Sequence, residues 1–169
     1  MKKLLLIAFL QFLTVTLFAQ SVIDKKNGFR HYKIGADYSL YAKEISSNAS
    51  GINSSTKHYG VKEKIQVVGH PASVDLVFVK NKLTGINVRF LKMDSDDYDE
   101  VLKALETVYG KAKNTALDSN RPSYLKDEVV NVWNGKLVGL QFSLDQTNYE
   151  GTITIWGMNK VKSNYEGEF

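Results

Sequence analysis

The stretch Ser73–Lys92, SVDLVFVKNKLTGINVRFLK, decides the fold. Val74, Leu76 and Phe78 alternate with the residues between them, and so do Thr84, Ile86, Val88 and Phe90. Lys80-Asn81-Lys82 separates the two runs and is too polar for a core. Period-two alternation on both sides of a short polar turn predicts a β-hairpin. The face carrying Leu76, Phe78, Ile86, Val88 and Phe90 is apolar enough to need a cover.

The cover follows in the chain. Within Ser95–Gly110, Tyr98, Val101, Leu102, Leu105, Val108 and Tyr109 fall at helical spacing and form one stripe. That register places Leu105 between the helix and the Ser73–Lys92 hairpin and turns Glu106 toward water. Asp94 or Ser95 can cap the first amides, and Asp96, Asp97 and Asp99 put negative charge at the positive end of the helix dipole. Gly110 ends the helix. The acidic run MDSDDYDE lacks the central Gly and the later bidentate Glu of an EF-hand loop, so capping rather than calcium accounts for it.

Outward from this centre, Gly28–Gly35 (GFRHYKIG) reads as a short strand, and Ala36–Ile45 as a helix with Tyr38, Tyr41 and Ile45 on one side. Ser46–Gly60, crowded with Ser, Asn and Gly, reads as a long mobile loop. It holds two glycosylation patterns, Asn48-Ala49-Ser50 and Asn53-Ser54-Ser55. Lys62–Gly69 supplies a short strand, and Pro71 marks a break before the hairpin. After a second loop at Asn114–Lys126 come three strands, Glu128–Trp133, Lys136–Leu144 and Gly151–Trp156. Asn134-Gly135 supplies a hairpin turn, and Lys160–Phe169 is a fraying tail. Lys82-Leu83-Thr84-Gly85 is echoed by Lys136-Leu137-Val138-Gly139, which suggests an internal duplication. The expected fold is α+β: a two-layer sandwich, with a mostly antiparallel sheet of about seven strands and two helices on one face.

The chain has 169 residues, 22 Lys and Arg, 18 Asp and Glu, and a net charge of +4. Its start, MKKLLLIAFLQFLTVTLFAQ, has the positive, apolar and small-residue parts of a secretory signal peptide over residues 1–20. Gln11, Thr14 and Thr16 break the apolar run, which falls short of the ~20 residues a membrane span needs. Cleavage after Ala19 or Gln20 would leave a single α+β domain over 21–169 with no stable membrane span, in the periplasm or outside the cell. Losing Lys2 and Lys3 takes the basic count from 22 to 20 against 18 acidic, a net charge of +2. With no Arg cluster, nothing points to nucleic acid. The chain has no cysteine, so disulfides, thiolate metal sites and cysteine nucleophiles are excluded.

Gly28–Gly35, the phrase Asn81-Lys82-Leu83-Thr84-Gly85-Ile86 and the helix end Leu105-Glu106-Thr107-Val108-Tyr109-Gly110-Lys111 together resemble small exported bacterial α+β proteins of uncharacterised function. A helix followed by a hairpin, twice over, is loosely similar to the β-lactamase-inhibitor-protein-like fold. That family binds protein partners across the exposed face of its sheet. No contact motif of that family is recognisable here, so the resemblance implies no binding residues.

Chemistry is sparsely marked. His31, His58 and His70 are not at metal-ligand spacing, there is no Gly-x-Ser-x-Gly elbow, and no residue nominates a cofactor or a metal. Three aromatics on predicted strands, Tyr32, Trp133 and Trp156, are the candidate contact residues. Trp133 lies opposite Val130 and Val132, on the side that carries Asn131, so it is expected on the less apolar face of the sheet. The function that follows is an exported, non-enzymatic binding or protein-interaction domain, its partner an envelope or extracellular protein or glycan. The alternative is a small periplasmic hydrolase with a site near His31 or His70, recognisable by a histidine within reach of Ser, Asp or Glu at the floor of a pocket.

Overall fold

A computed structural model describes residues 22–47, 50–53, 55–114 and 128–158. The segment expected as a signal peptide, most of the loop expected at 114–126 and the tail expected at 160–169 lie outside these residues. So do Asn48, Ala49 and Ser54 of the glycosylation patterns. In chain order the elements begin with a short helix over 22–26 (α1), Gly28–Phe29 (β1), Tyr32–Lys33 (β2) and a 3-10 turn at Tyr38–Leu40. Then come Ser50–Asn53 (β3), Thr56–Gly60 (β4), Ile65–Val67 (β5), His70–Val79 (β6), Lys82–Leu91 (β7) and Ser95–Tyr109 (α2). Lys113–Asn114 (β8), Glu128–Asn134 (β9), Val138–Asp145 (β10) and Glu150–Gly157 (β11) complete the chain.

The expected α+β class holds. One antiparallel sheet runs β3-β4-β6-β7-β11-β10-β9-β8, with β5 pairing beside β4 on β6, and β1-β2 is a separate small hairpin. Of its nine strands, β5, β6, β7, β9, β10 and β11 lie where strands were expected, whereas β3, β4 and β8 were not foreseen and the strand expected at 28–35 stays outside the sheet. β6 and β7 form the hairpin that the alternation demands. Lys80 and Asn81 take positive φ of 50° and 62°, so a two-residue turn matched to the strand twist joins them. Val74, Leu76, Phe78, Ile86, Val88 and Phe90 are all buried on one face.

α2 covers that face. Asp94 accepts the Asp97 amide at 2.9 Å while the Asp97 carboxylate accepts the Asp94 amide, a reciprocal capping box. The buried stripe is Tyr98, Val101, Leu105 and Tyr109. Leu105 is buried as expected, but Val108 is 43% exposed and Leu102 only partly covered, so the stripe is narrower than the spacing suggested. The polar and ring contacts of α2 run to β9, β10, the β1 hairpin and His70 at the start of β6. Tyr98 stacks on Phe142 at 4.2 Å, and the Tyr109 hydroxyl donates to the Gly28 carbonyl. Glu106 does not simply face water: its carboxylate accepts the Ala112 amide and pairs with Lys111, closing the helix end.

The rest of the covered face is wrapped by irregular chain. Ala36–Ile45 is not an α-helix but the 3-10 turn followed by turns. Its aromatic side chains pack inward, with Tyr38 meeting Tyr59 and Phe78. Side chains bonded to distant backbone fix its path. The Tyr41 hydroxyl accepts the Lys33 amide and donates to the His31 carbonyl. Gly28–Gly35 is a tight hairpin rather than one strand; a Cβ at Gly28 would lie 2.0 Å from the Tyr32 carbonyl oxygen.

Ser46–Gly60 is largely not a loop either. It supplies β3 and β4, whose Tyr59 pairs with Leu76 and is buried. Pro71 lies inside the start of β6, beside Gln66 of β5, and does not break it. The Asn134-Gly135 hairpin exists, but neither residue has positive φ. Gly135 is needed for space instead: a Cβ there would lie 2.2 Å from the Asp24 carboxylate of α1. That carboxylate accepts the amides of Lys136, Leu137 and Val138 at 2.8, 2.9 and 3.2 Å and ties α1 to the turn.

Candidate functional site

In an antiparallel sheet, residues directly opposite share a face, so the register fixes what the sheet shows on its second side. One row runs His58, Val77, Gly85, Trp156, Gly139 and Asn134. The next runs Asp75, Asn87, Thr154, Gln141 and Val132. A third runs Ser73, Arg89, Thr152, Ser143 and Val130. Val130 and Ser143 are buried at the β9 corner, whereas Ser73, Asp75, Val77, Asn87, Arg89, Thr152, Thr154 and Trp156 are wholly or partly exposed. Arg89 pairs with Asp75 across β6 and β7. The face is polar, close to neutral and carries one indole, in the row near the end of β11.

Trp156 owes its posture to glycine. Its cross-strand neighbours are Gly139 on one side and Gly85 on the other. A Cβ at Gly139 would lie 2.5 Å from the indole ring, so the ring occupies the space that a side chain would fill. Gly85 and Gly139 are the echoed glycines of the two hairpin phrases, and the register gives them one shared neighbour.

The other two candidate aromatics are buried, Trp133 on the covered side of the sheet and Tyr32 in the separate β1-β2 hairpin. Trp133 is not on the less apolar face: it is 4% exposed, and its indole N–H donates to the Gly110 carbonyl at 2.7 Å, anchoring the end of α2. Asn131 beside it is also buried, because its amide donates to the Tyr98 hydroxyl at 2.7 Å, which in turn donates to the Phe142 carbonyl. Tyr32 is 3% exposed and packs edge-on against Tyr41. Only Trp156 of the three reaches solvent.

Two histidines have carboxylate partners. His31 Nε2 lies 2.7 Å from Glu44, which also accepts the Tyr32 hydroxyl at 3.0 Å. The hydrogen bond with His31, together with that from Tyr32, holds the Glu44 carboxyl below its usual range against the opposing effect of burial. Burial, then the bond to Glu44, pushes the Tyr32 phenol well above its usual range. Both members of the His31–Glu44 pair are substantially exposed. His70 lies 3.3 Å from Glu100 and 3.7 Å from Asp97, tying the start of β6 to the first turn of α2. Neither histidine is hydrogen-bonded to a serine among the described residues. Among those residues no three His, Asp or Glu side chains are grouped to hold a metal ion, and no helix is long and apolar enough to cross a membrane.

A cleft of about 200 Å³ opens at the far end of the covered face, between the 3-10 turn, β4 and the β6–β7 turn. Tyr38, Tyr59 and Phe78 line it, with Ser55, Lys57, Lys80 and Asn81 around them. Sequence reasoning missed it, since its walls come from the segments taken for a helix and a loop.

No protein-family model matches the sequence, and no curated protein does. Among solved structures, the fold is similar to that of a cysteine-rich secretory protein from Staphylococcus aureus, with a TM-score of 0.43 and 11% identity. The match covers 75% of this chain and 45% of that one, so this chain spans less than half of that protein's length. A likeness at that level carries no argument about function.

Proposed function

We propose that the chain is an exported, non-enzymatic binding domain that docks an envelope or extracellular protein or glycan on the uncovered face of its sheet. The observation that carries this reading is Trp156. It is partly exposed near the end of β11, the middle strand of β6-β7-β11-β10-β9, with glycine on both neighbouring strands. A large aromatic held in place on such a surface offers contact area at little entropic cost. The Arg89–Asp75 pair and the threonines of β11 add polar groups on one side of it, as one margin of a contact patch. The hydrolase reading has the His31 and His70 pairs in its favour, but neither histidine lines the cleft.

The test is a paired capture from envelope extract, with the full chain and its Trp156→Ala variant as baits. The reading expects a protein or glycan enriched by the first bait and lost with the second. Enrichment that survives Trp156→Ala, or none with either bait, would overturn it.

A further inference from the structure

We propose that the cleft beside the β6–β7 turn is a second binding site, for a small organic anion one ring in size that carries a carboxylate or a phosphate. It lies on the covered side of the sheet and does not depend on the docking reading. Its floor is aromatic: Tyr38, Tyr59 and Phe78 meet with ring centres 5.2–5.8 Å apart. Phe78 and Tyr59 are buried, so the floor is part of the core and does not need to form on binding. The Tyr38 amide donates to the Asn81 carbonyl at 2.8 Å, which pins the 3-10 turn to the hairpin and fixes the opening.

Lys57 stands opposite Phe78 in register, on the side of the floor, and Lys80 opens the two-residue turn. Neither has an ion-pair partner among the described residues, whereas Lys82, Arg89 and Lys111 are each paired with a carboxylate. Among the described residues no acidic side chain lines the cleft. The Lys57 and Lys80 ammonium groups and the Asn81 amide supply hydrogen-bond donors and positive charge beside Tyr38, the one ring of the three that is more than marginally exposed. That combination fits a ring that packs against Tyr38 and presents an oxyanion at its edge. The volume of about 200 Å³ limits the ligand to roughly the size of one monosaccharide.

Amide NMR spectra of the nitrogen-15-labelled full chain, titrated separately with glucuronate, glucose 6-phosphate, glucose and inorganic phosphate, test the proposal. The expected result is saturable shifts confined to Lys57–Tyr59 and Lys80–Asn81 with glucuronate, glucose 6-phosphate or both. The preferred one of the two identifies the anionic group. Glucose and inorganic phosphate should bind at least about tenfold more weakly, because each lacks one half of the recognition. Lys57→Gln with Lys80→Gln should weaken the preferred ligand by about tenfold or more while the rest of the spectrum stays unchanged. Absent or delocalised shifts, equal binding of inorganic phosphate, or unchanged affinity in the double variant would overturn the proposal.

Discussion

Trp133 and Trp156 lie on the same sheet and do opposite things. Trp133 is sealed under the end of α2 with its N–H satisfied by Gly110, while Trp156 lies flat across Gly139 on the uncovered side. The covered face is where stability is made, from a continuous apolar cluster that includes Leu76, Ile86, Val88, Leu105 and Phe142. On the other face, Ser73, Asp75, Asn87, Arg89, Thr152, Thr154 and Trp156 are wholly or partly exposed, so most of its side chains contribute less to the core. This difference sets the ranking of mutational effects, and each variant below can break it.

Leu105→Ala is expected to have the largest effect. Leu105 is 5% exposed in the centre of the α2 stripe, so truncation loses transfer energy and leaves a cavity, about 2–5 kcal/mol together. Against an ordinary domain stability of about 5–15 kcal/mol, a urea melt shows that loss plainly. Tyr98→Phe comes next. It keeps the stacking on Phe142 but removes the hydroxyl that links the Asn131 amide to the Phe142 carbonyl. Leaving those buried groups unpaired should cost about 1–3 kcal/mol by the same measurement.

Asp24→Ala should cost roughly 1–2 kcal/mol at neutral pH, by freeing three amides of the β9–β10 turn. Burial pushes the Asp24 carboxyl up, but the Leu137, Lys136 and Val138 amides outweigh it and hold the carboxyl below its usual value. A carboxyl lowered in the folded state contributes stability above its unfolded pKa and loses it as pH falls through the folded one. The gap between wild type and Asp24→Ala in urea midpoint should therefore shrink as pH falls below the ordinary aspartate value of 3.8. A gap that widened in acid would contradict this account of the turn. Arg89→Ala, on the uncovered face, should cost no more than about 1 kcal/mol, since the Arg89–Asp75 pair is largely solvated. An Arg89 effect as large as that of Leu105 would erase the contrast between the faces.

The legible part of the fold was local and periodic. The β6–β7 alternation, the α2 stripe and the Asp94 cap all follow from residues within a few positions of one another, and all are present. The illegible part rests on partners far apart in sequence. Residues 36–45 follow an irregular path because Tyr41 bonds Lys33 and His31, and because Tyr38 is tied to Asn81. No period records such bonds. β3 and β4 were hidden by their polar composition, since an edge hairpin needs few apolar side chains. The faces of β9 were assigned from Val130 and Val132, which made the side carrying Asn131 look polar. That side is covered because Tyr98, 33 positions away, satisfies the Asn131 amide. For the candidate site, Trp156 was readable from the alternation Thr152, Thr154, Trp156, and the glycines that flank it were visible as an echo without a reason.

The contrast between the two tryptophans can be measured directly, because the chain has only two. Trp133→Phe leaves Trp156 as the sole indole, and Trp156→Phe leaves Trp133. Acrylamide quenching of the two variants compares the faces without a ligand. Trp156 should be quenched readily and emit toward the red, while Trp133 should resist quenching and emit toward the blue. Equal quenching, or stronger quenching of Trp133, would contradict the assignment of the covered and uncovered faces and remove the surface on which the proposed function rests.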